Sequence, residues 1–147
     1  MRGKIRFLRL SRNAYVRLVE LVKEAYPAEA CGVLAGRIEG ETANVIVVEK
    51  LRNILSSPSR FWFNVGEWMD KILRLNRLGL EYIGLFHSHS REEPILSMSD
   101  MERMLECPGE IWLVAAYVPG RPPRISAWRM EGYGISLTRL KIVQLDL

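Results

Sequence analysis

The chain has 147 residues, a length that fits one domain, and 45 of them are Leu, Ile, Val or Phe, about 31%, against the roughly 20% below which chains stay disordered. The formal net charge of +4 comes from 21 basic and 17 acidic residues with no basic run, so charge gives no argument for nucleic-acid binding. The longest apolar stretch, residues 111–118, falls short of the roughly 18–20 residues that a membrane span needs, and arginines interrupt the N-terminal segment; a soluble, cytoplasmic protein without a secretory signal is expected.

In chain order, Lys4 to Leu10 alternates apolar residues such as Ile5 and Phe7 with arginines, as a half-buried strand does. Ser11 has the chemistry of a helix N-cap, and Tyr15, Leu18, Val19, Val22 and Tyr26 follow at helical spacing until Pro27 stops the helix. Residues 30–38 and 42–49 form a predicted hairpin around Glu39-Gly40-Glu41, and residues 51–60 read as a loop. Phe61-Trp62-Phe63 suggests a short strand. A second helix begins at the cap pair Asn64 and Glu67, buries Val65, Trp68, Met69 and Ile72, and closes at Gly79. Residues 81–87 are apolar on both parities, the mark of a central strand, with Gly84 allowing close approach of a neighbour. A short third helix spans residues 97–106 and stops at Pro108-Gly109. Strand-like runs at 111–118, 124–130 and 135–145 complete one mixed α/β unit over residues 1–147.

Cys31 and Cys107 are too few for a disulfide framework and too far apart for a CxxC pair. They read as buried thiols, with a single disulfide as the alternative. Trp62, Trp68, Trp112 and Trp128 read as packing residues.

The two histidines of the chain are His87 and His89. At a strand end, residues i and i+2 point the same way with Cα atoms roughly 6.6 Å apart. Converging imidazoles can close that gap to the roughly 3.4 Å between two tetrahedral ligands held about 2.1 Å from zinc. Catalytic zinc takes three protein ligands, and Asp100 stands eleven residues past His89. By itself Ser97-x-x-Asp100 reads as a capping box; the histidines upstream favour a ligand at Asp100. Two neutral histidines and one carboxylate would leave zinc a residual positive charge that acidifies water. Glu29, at a loop–strand junction, would by itself be solvated surface.

Pro27-Ala28-Glu29-Ala30-Cys31-Gly32-Val33-Leu34-Ala35-Gly36, then Gly84-Leu85-Phe86-His87-Ser88-His89, then Ser97-Met98-Ser99-Asp100 resembles the JAMM (MPN-plus, Mov34-type) zinc metalloprotease family, in a compact prokaryotic or archaeal form. The motif is a Glu followed by H-x-H-x7-S-x2-D, and the likeness runs from about Leu8 to Arg129. It implies a cytidine-deaminase-like, three-layer α/β/α fold with a central mixed sheet, and one zinc ion on His87, His89 and Asp100. It also implies Glu29 as general base and Ser97 as a hydrogen-bond donor to the developing oxyanion. The implied substrates are conjugates of a ubiquitin-like or sulfur-carrier protein, cut after its C-terminal glycine, whose extended tail could pair with an exposed strand edge. A scaffold that binds modifiers or assembly partners without cleaving them is the alternative. Zinc nucleobase deaminases need H-x-E and P-C-x-x-C, which are missing, and no G-x-S-x-G elbow supports a serine triad. Ser90 and Leu96 stand where the family usually has loop prolines.

Overall fold

The computed structural model describes residues 4–57, 61–106, 109–131 and 136–144. Along the chain run β1 (Phe7–Leu10), α1 (Arg12–Ala25), β2 (Cys31–Glu39), β3 (Thr42–Leu51), α2 (Val65–Arg77), β4 (Glu81–His89), α3 (Met98–Glu106), β5 (Ile111–Ala116), β6 (Arg124–Glu131) and β7 (Ser136–Gln144). The strands form one mixed sheet in the order β1-β3-β2-β4-β5-β6-β7, and β1 pairs in parallel with β7 to close it. Every described strand therefore has two neighbours, but the ladders are partial: β1 meets β3 only at Thr42–Val45, so among the described residues 46–51 of β3 have no ladder partner on that side.

Local chemistry accounts for most element boundaries. The Ser11 hydroxyl accepts from the Ala14 backbone N–H at 3.1 Å and opens α1, which buries Ala14, Leu18, Leu21 and Val22. Asn64 does the same for α2 through the Glu67 N–H at 3.2 Å. Gly79, at φ +81°, turns the chain out of α2 in a conformation that side chains avoid. Gly84 lets β4 and β5 approach closely, since a Cβ there would collide with the Ile111 carbonyl. Ile5 is buried as expected, but within β1 the buried residues are Leu8 and Leu10 while Phe7 is only half-buried, so the expected inward position fails at Phe7.

The two faces of the sheet carry separate cores. Strand residues Leu8, Leu34, Phe86, Leu113 and Ala127 pack with α1 on one side; Val33, Leu85, Trp112 and Met130 pack with Leu75 of α2 and Met104 of α3 on the other. Trp112 is fully buried, and Trp62, Trp68 and Trp128 lean on the second core, as packing residues. Two expectations fail here. Val65 and Met69 of α2 are exposed, because the helix touches the sheet through the other edge of its apolar face, at Trp68 and Leu75. Phe61-Trp62-Phe63 is not a strand: the Trp62 N–H donates to the Asn53 side chain at 3.2 Å and its carbonyl accepts from Ile54, so a loop takes the bonds that a ladder would use.

Cys31 is a free, buried thiol whose pKa burial pushes up to about 12, which makes it inert. Cys107, the Pro108 stop, residues 58–60 of the predicted loop and residues 132–135 lie outside the described residues. Among the described residues no helix is long and apolar enough to cross a membrane.

Glu110, just before β5, has a buried carboxyl oxygen without a hydrogen-bond partner, and burial raises its pKa from 4.5 to about 7 against a hydrogen bond from Tyr82. The folded state then holds this proton more tightly than the unfolded chain. Its contribution is fully present below pH 4.5 and is lost as pH rises to 7, by up to about 3 kcal/mol. Denaturant unfolding of Glu110→Gln should accordingly gain on the wild type between pH 5 and pH 8. Parallel pH profiles for the two proteins would refute the assignment.

Candidate metal centre

The register of the central strands assembles the site. Antiparallel pairing sets Cys31 opposite His87. One step further, the Ala30 N–H donates to the Ser88 hydroxyl at 2.8 Å, and the Ser88 N–H donates to the Ala30 carbonyl at 3.0 Å. That double tie brings Glu29, the next residue along, beside His89. Glu29 is fixed further by a loop: its N–H donates to the Ser57 carbonyl at 2.8 Å, and the Asn53 amide donates to its carbonyl at 3.0 Å.

Across β4, the turn into α3 supplies Ser97 and Asp100. The Ser97 N–H donates to Asp100 Oδ2 at 2.9 Å, and the Asp100 N–H donates to the Ser97 hydroxyl at 3.0 Å. This is a complete capping box. The same Asp100 oxygen lies 3.0 Å from His87 Nε2 and 3.1 Å from His89 Nε2. Capping and ligation are thus not alternatives: the cap holds the carboxylate still where both imidazoles meet it. The other ring nitrogen of His89, Nδ1, is 3.3 Å from Glu29 Oε2. All four side chains are buried, with Glu29 at 1% and Asp100 at 4% exposure.

The electrostatics follow from this enclosure. Burial opposes the ionised form of Asp100, but hydrogen bonds from His87, His89 and the Ser97 backbone outweigh it and hold the carboxyl well below the usual carboxylate range. Burial likewise works against the imidazolium of His89, yet its contacts with Asp100 and Glu29 push its pKa up to about 9. A metal ion entering here has to displace that proton.

One ligand atom each from Glu29, His87 and His89 lie within 4.8 Å of one another, and this buried group could hold a metal ion. His87, His89 and Asp100 form a second set of donors that fits zinc: their N···O separations of 3.0 and 3.1 Å are within a few tenths of the roughly 3.4 Å between tetrahedral ligands. Neither Glu29 oxygen has a well-formed hydrogen bond among the described residues, so the group offers buried acceptors awaiting a donor or a cation. Glu29 is also among the residues lining a cavity of about 230 Å³ with Cys31, Arg52, Asn53 and Ser56, while both of its carboxylate oxygens are buried.

All five residues singled out in the sequence converge. Sequence reasoning missed the residues that hold them in place. Ser88 lies between the histidines but points its hydroxyl at Ala30; Asn53 sits in a loop with no motif. Ser90, in place of a usual proline, donates its hydroxyl to the Pro27 carbonyl at 2.5 Å and ties the loop to the Glu29 segment, while Leu96 is buried in the second core.

Comparison with known proteins agrees with this picture. The family described as prokaryotic homologs of the JAB domain matches residues 11–131. The chain is 34% identical over 100 residues to a desampylase from Pyrococcus furiosus, covering 68% of each protein. It is 30% identical over 91 residues to a desampylase from Haloferax volcanii, covering 61% of this chain and 63% of that one. Its fold is similar to the solution structure of a Desulfitobacterium hafniense protein, with a TM-score of 0.82 at 23% identity over 95% of this chain and 94% of that one. A JAB1/MPN domain protein from Archaeoglobus fulgidus superposes with a TM-score of 0.58 at 17% identity, covering 92% of this chain and 98% of that one.

Proposed function

The chain belongs to the family of prokaryotic homologs of the JAB domain, and we propose that it is a zinc metallopeptidase. Its reaction is hydrolysis of the amide or isopeptide bond after the C-terminal glycine of a ubiquitin-like or sulfur-carrier-like modifier. The observation that carries this reading is the convergence of both histidine Nε2 atoms on one Asp100 oxygen in a buried centre beside Glu29. The substrate class rests on the JAMM resemblance, and the two relatives named desampylase support it. The cytidine-deaminase-like, three-layer description, a single domain over residues 1–147 and a cytoplasmic setting belong to the same reading.

His87, His89 and Asp100 would hold the zinc ion. When bound, zinc would supply Lewis acidity, polarising the scissile carbonyl and lowering the pKa of a water from 15.7 towards 7. Glu29, buried beside both imidazoles, takes the proton of the attacking water and passes it to the departing amine. Its Oε2, 3.3 Å from His89 Nδ1, also favours a proton on that nitrogen, which leaves Nε2 for a metal. Ser97 already accepts from the Asp100 N–H, so its own hydroxyl proton is free to be donated to the negative charge that grows on the carbonyl oxygen. The glycine tail would enter past the loops at 52–57 and 90–97 that flank the site, where the side of β3 that β1 leaves unpaired, at residues 46–51, is a strand edge for it.

Incubation with a modifier–lysine conjugate and with a linear modifier fusion, each with and without a chelator, tests the proposal by mass spectrometry of the products. Chelator-sensitive release of a modifier ending in its native C-terminal glycine is expected. A folded, zinc-loaded protein that binds modifiers but releases none from either substrate would turn the reading to the scaffold alternative.

A further inference from the structure

The two histidines are held by different means. His89 has the Glu29 carboxylate 3.3 Å from its second nitrogen, short of hydrogen-bond geometry but placed as the partner of a metal-ligating imidazole usually is. His87 does not: its Nδ1 is fully buried and has no hydrogen-bond partner among the described residues. What surrounds it is aromatic. The Phe61 ring lies face to face with the imidazole, with centroids 4.5 Å apart and planes inclined by 17°. Trp112 meets the imidazole edge-on at 5.6 Å and 77°, and Phe61 and Trp112 touch each other at 5.7 Å. His89 closes a further side at 4.8 Å and 85°. Phe61 comes from the segment before α2 and Trp112 from β5, so two distant parts of the chain form the slot.

We propose that Phe61, backed by Trp112, is a positioning residue for the metal centre, holding the His87 ring by stacking where other metal-ligating histidines are held by a hydrogen bond. An imidazole without a bond at Nδ1 can rotate about its Cβ–Cγ bond at little cost, because that torsion is broad. Rotation would swing Nε2 away from Asp100. A parallel ring at van der Waals distance blocks the motion, since turning the imidazole drives it into the phenyl face. The slot also excludes water from Nδ1, so no solvent competes for the ring's orientation. This inference rests on His87 being a zinc ligand.

The test separates ring positioning from general packing by using a second buried aromatic of the same core. Phe63 stacks on Trp62 at 4.5 Å, is as buried as Phe61, and has no recorded contact with His87. Zinc affinity is measured by competition with a chromophoric chelator, and the visible spectrum of the cobalt(II)-substituted protein reports ligand geometry. Thermal unfolding of the metal-free protein gives the packing loss. Phe61→Leu should weaken zinc about 10–100-fold, the usual effect of losing an outer partner of a metal ligand, and should alter the cobalt spectrum. Phe63→Leu should lower stability comparably yet leave zinc affinity within about threefold, and Phe61→Tyr, which keeps the stacked ring, should recover wild-type affinity. If Phe61→Leu does not fold, Phe61→Met keeps the volume without the ring and carries the same comparison. Equal zinc affinity in the wild type and the ringless variants, or equal losses in the Phe61 and Phe63 variants, overturns the inference. A wild-type protein that binds no zinc overturns instead the ligand assignment on which it stands.

Discussion

Glu29→Gln is expected to retain one zinc per chain with affinity within about threefold of wild type while losing about 10²–10⁴-fold in turnover of a modifier–lysine conjugate, the range set by loss of a general base. The reasoning starts from geometry. Glutamine has the shape of glutamate, and its amide oxygen can still accept from His89 Nδ1, so the orientation of that ring survives. What disappears is the capacity to take up a proton. The variant also decides a question left by the placement of Glu29 among the metal-capable side chains. A ligand turned into an amide would lower zinc affinity sharply, whereas a base turned into an amide leaves it in place. Elemental analysis and steady-state kinetics on the same preparation check both halves of the claim.

Asp100→Asn should do the opposite, stripping the metal while keeping the helix cap. Asn at this position can still accept from the Ser97 N–H, so the first turn of α3 keeps its cap. The negative charge between the two imidazoles is lost, and with it the charged oxygen that both Nε2 atoms face. Zinc affinity is expected to fall by more than the roughly 10–100-fold that follows loss of an outer partner, with activity falling in step. Thermal unfolding of the metal-free variant at neutral pH should fall below that of the metal-free wild type, because His89 loses a charged partner, while the fold itself should remain. Competition against a chelator of known affinity reads the first quantity, and an unchanged zinc affinity would remove Asp100 from the ligand set.

Much of the site was written in local patterns. His87 and His89 lie two apart at the end of an apolar strand, and Ser97 and Asp100 stand at the spacing of a capping box; both are short-range geometries that sequence reports directly. Glu29 was different, because its burial depends on β2 pairing with β4 through Ala30 and Ser88, a contact across 58 positions. Periodicity found α2 but not which edge of its apolar face meets the sheet, so Val65 and Met69 were assigned inward and lie outward. Apolar spacing marks a stripe; neighbours decide how much of it is covered. Phe61, Trp62 and Phe63 alternate as a strand should, yet the Asn53 side chain takes the backbone bond that pairing would need. The closure of the sheet by β1 and β7 joins the two ends of the chain, and no local rule anticipates it.

The proposed mechanism requires one metal ion, held by His87, His89 and Asp100, for cleavage. Zinc titration into chelator-stripped protein, followed by release of free modifier from a lysine conjugate, tests it most directly. Activity should be absent from the stripped protein, rise in proportion to added zinc and level off at one equivalent per chain. Undiminished cleavage by the metal-free protein, or saturation at one zinc with no cleavage at all, would contradict the claim.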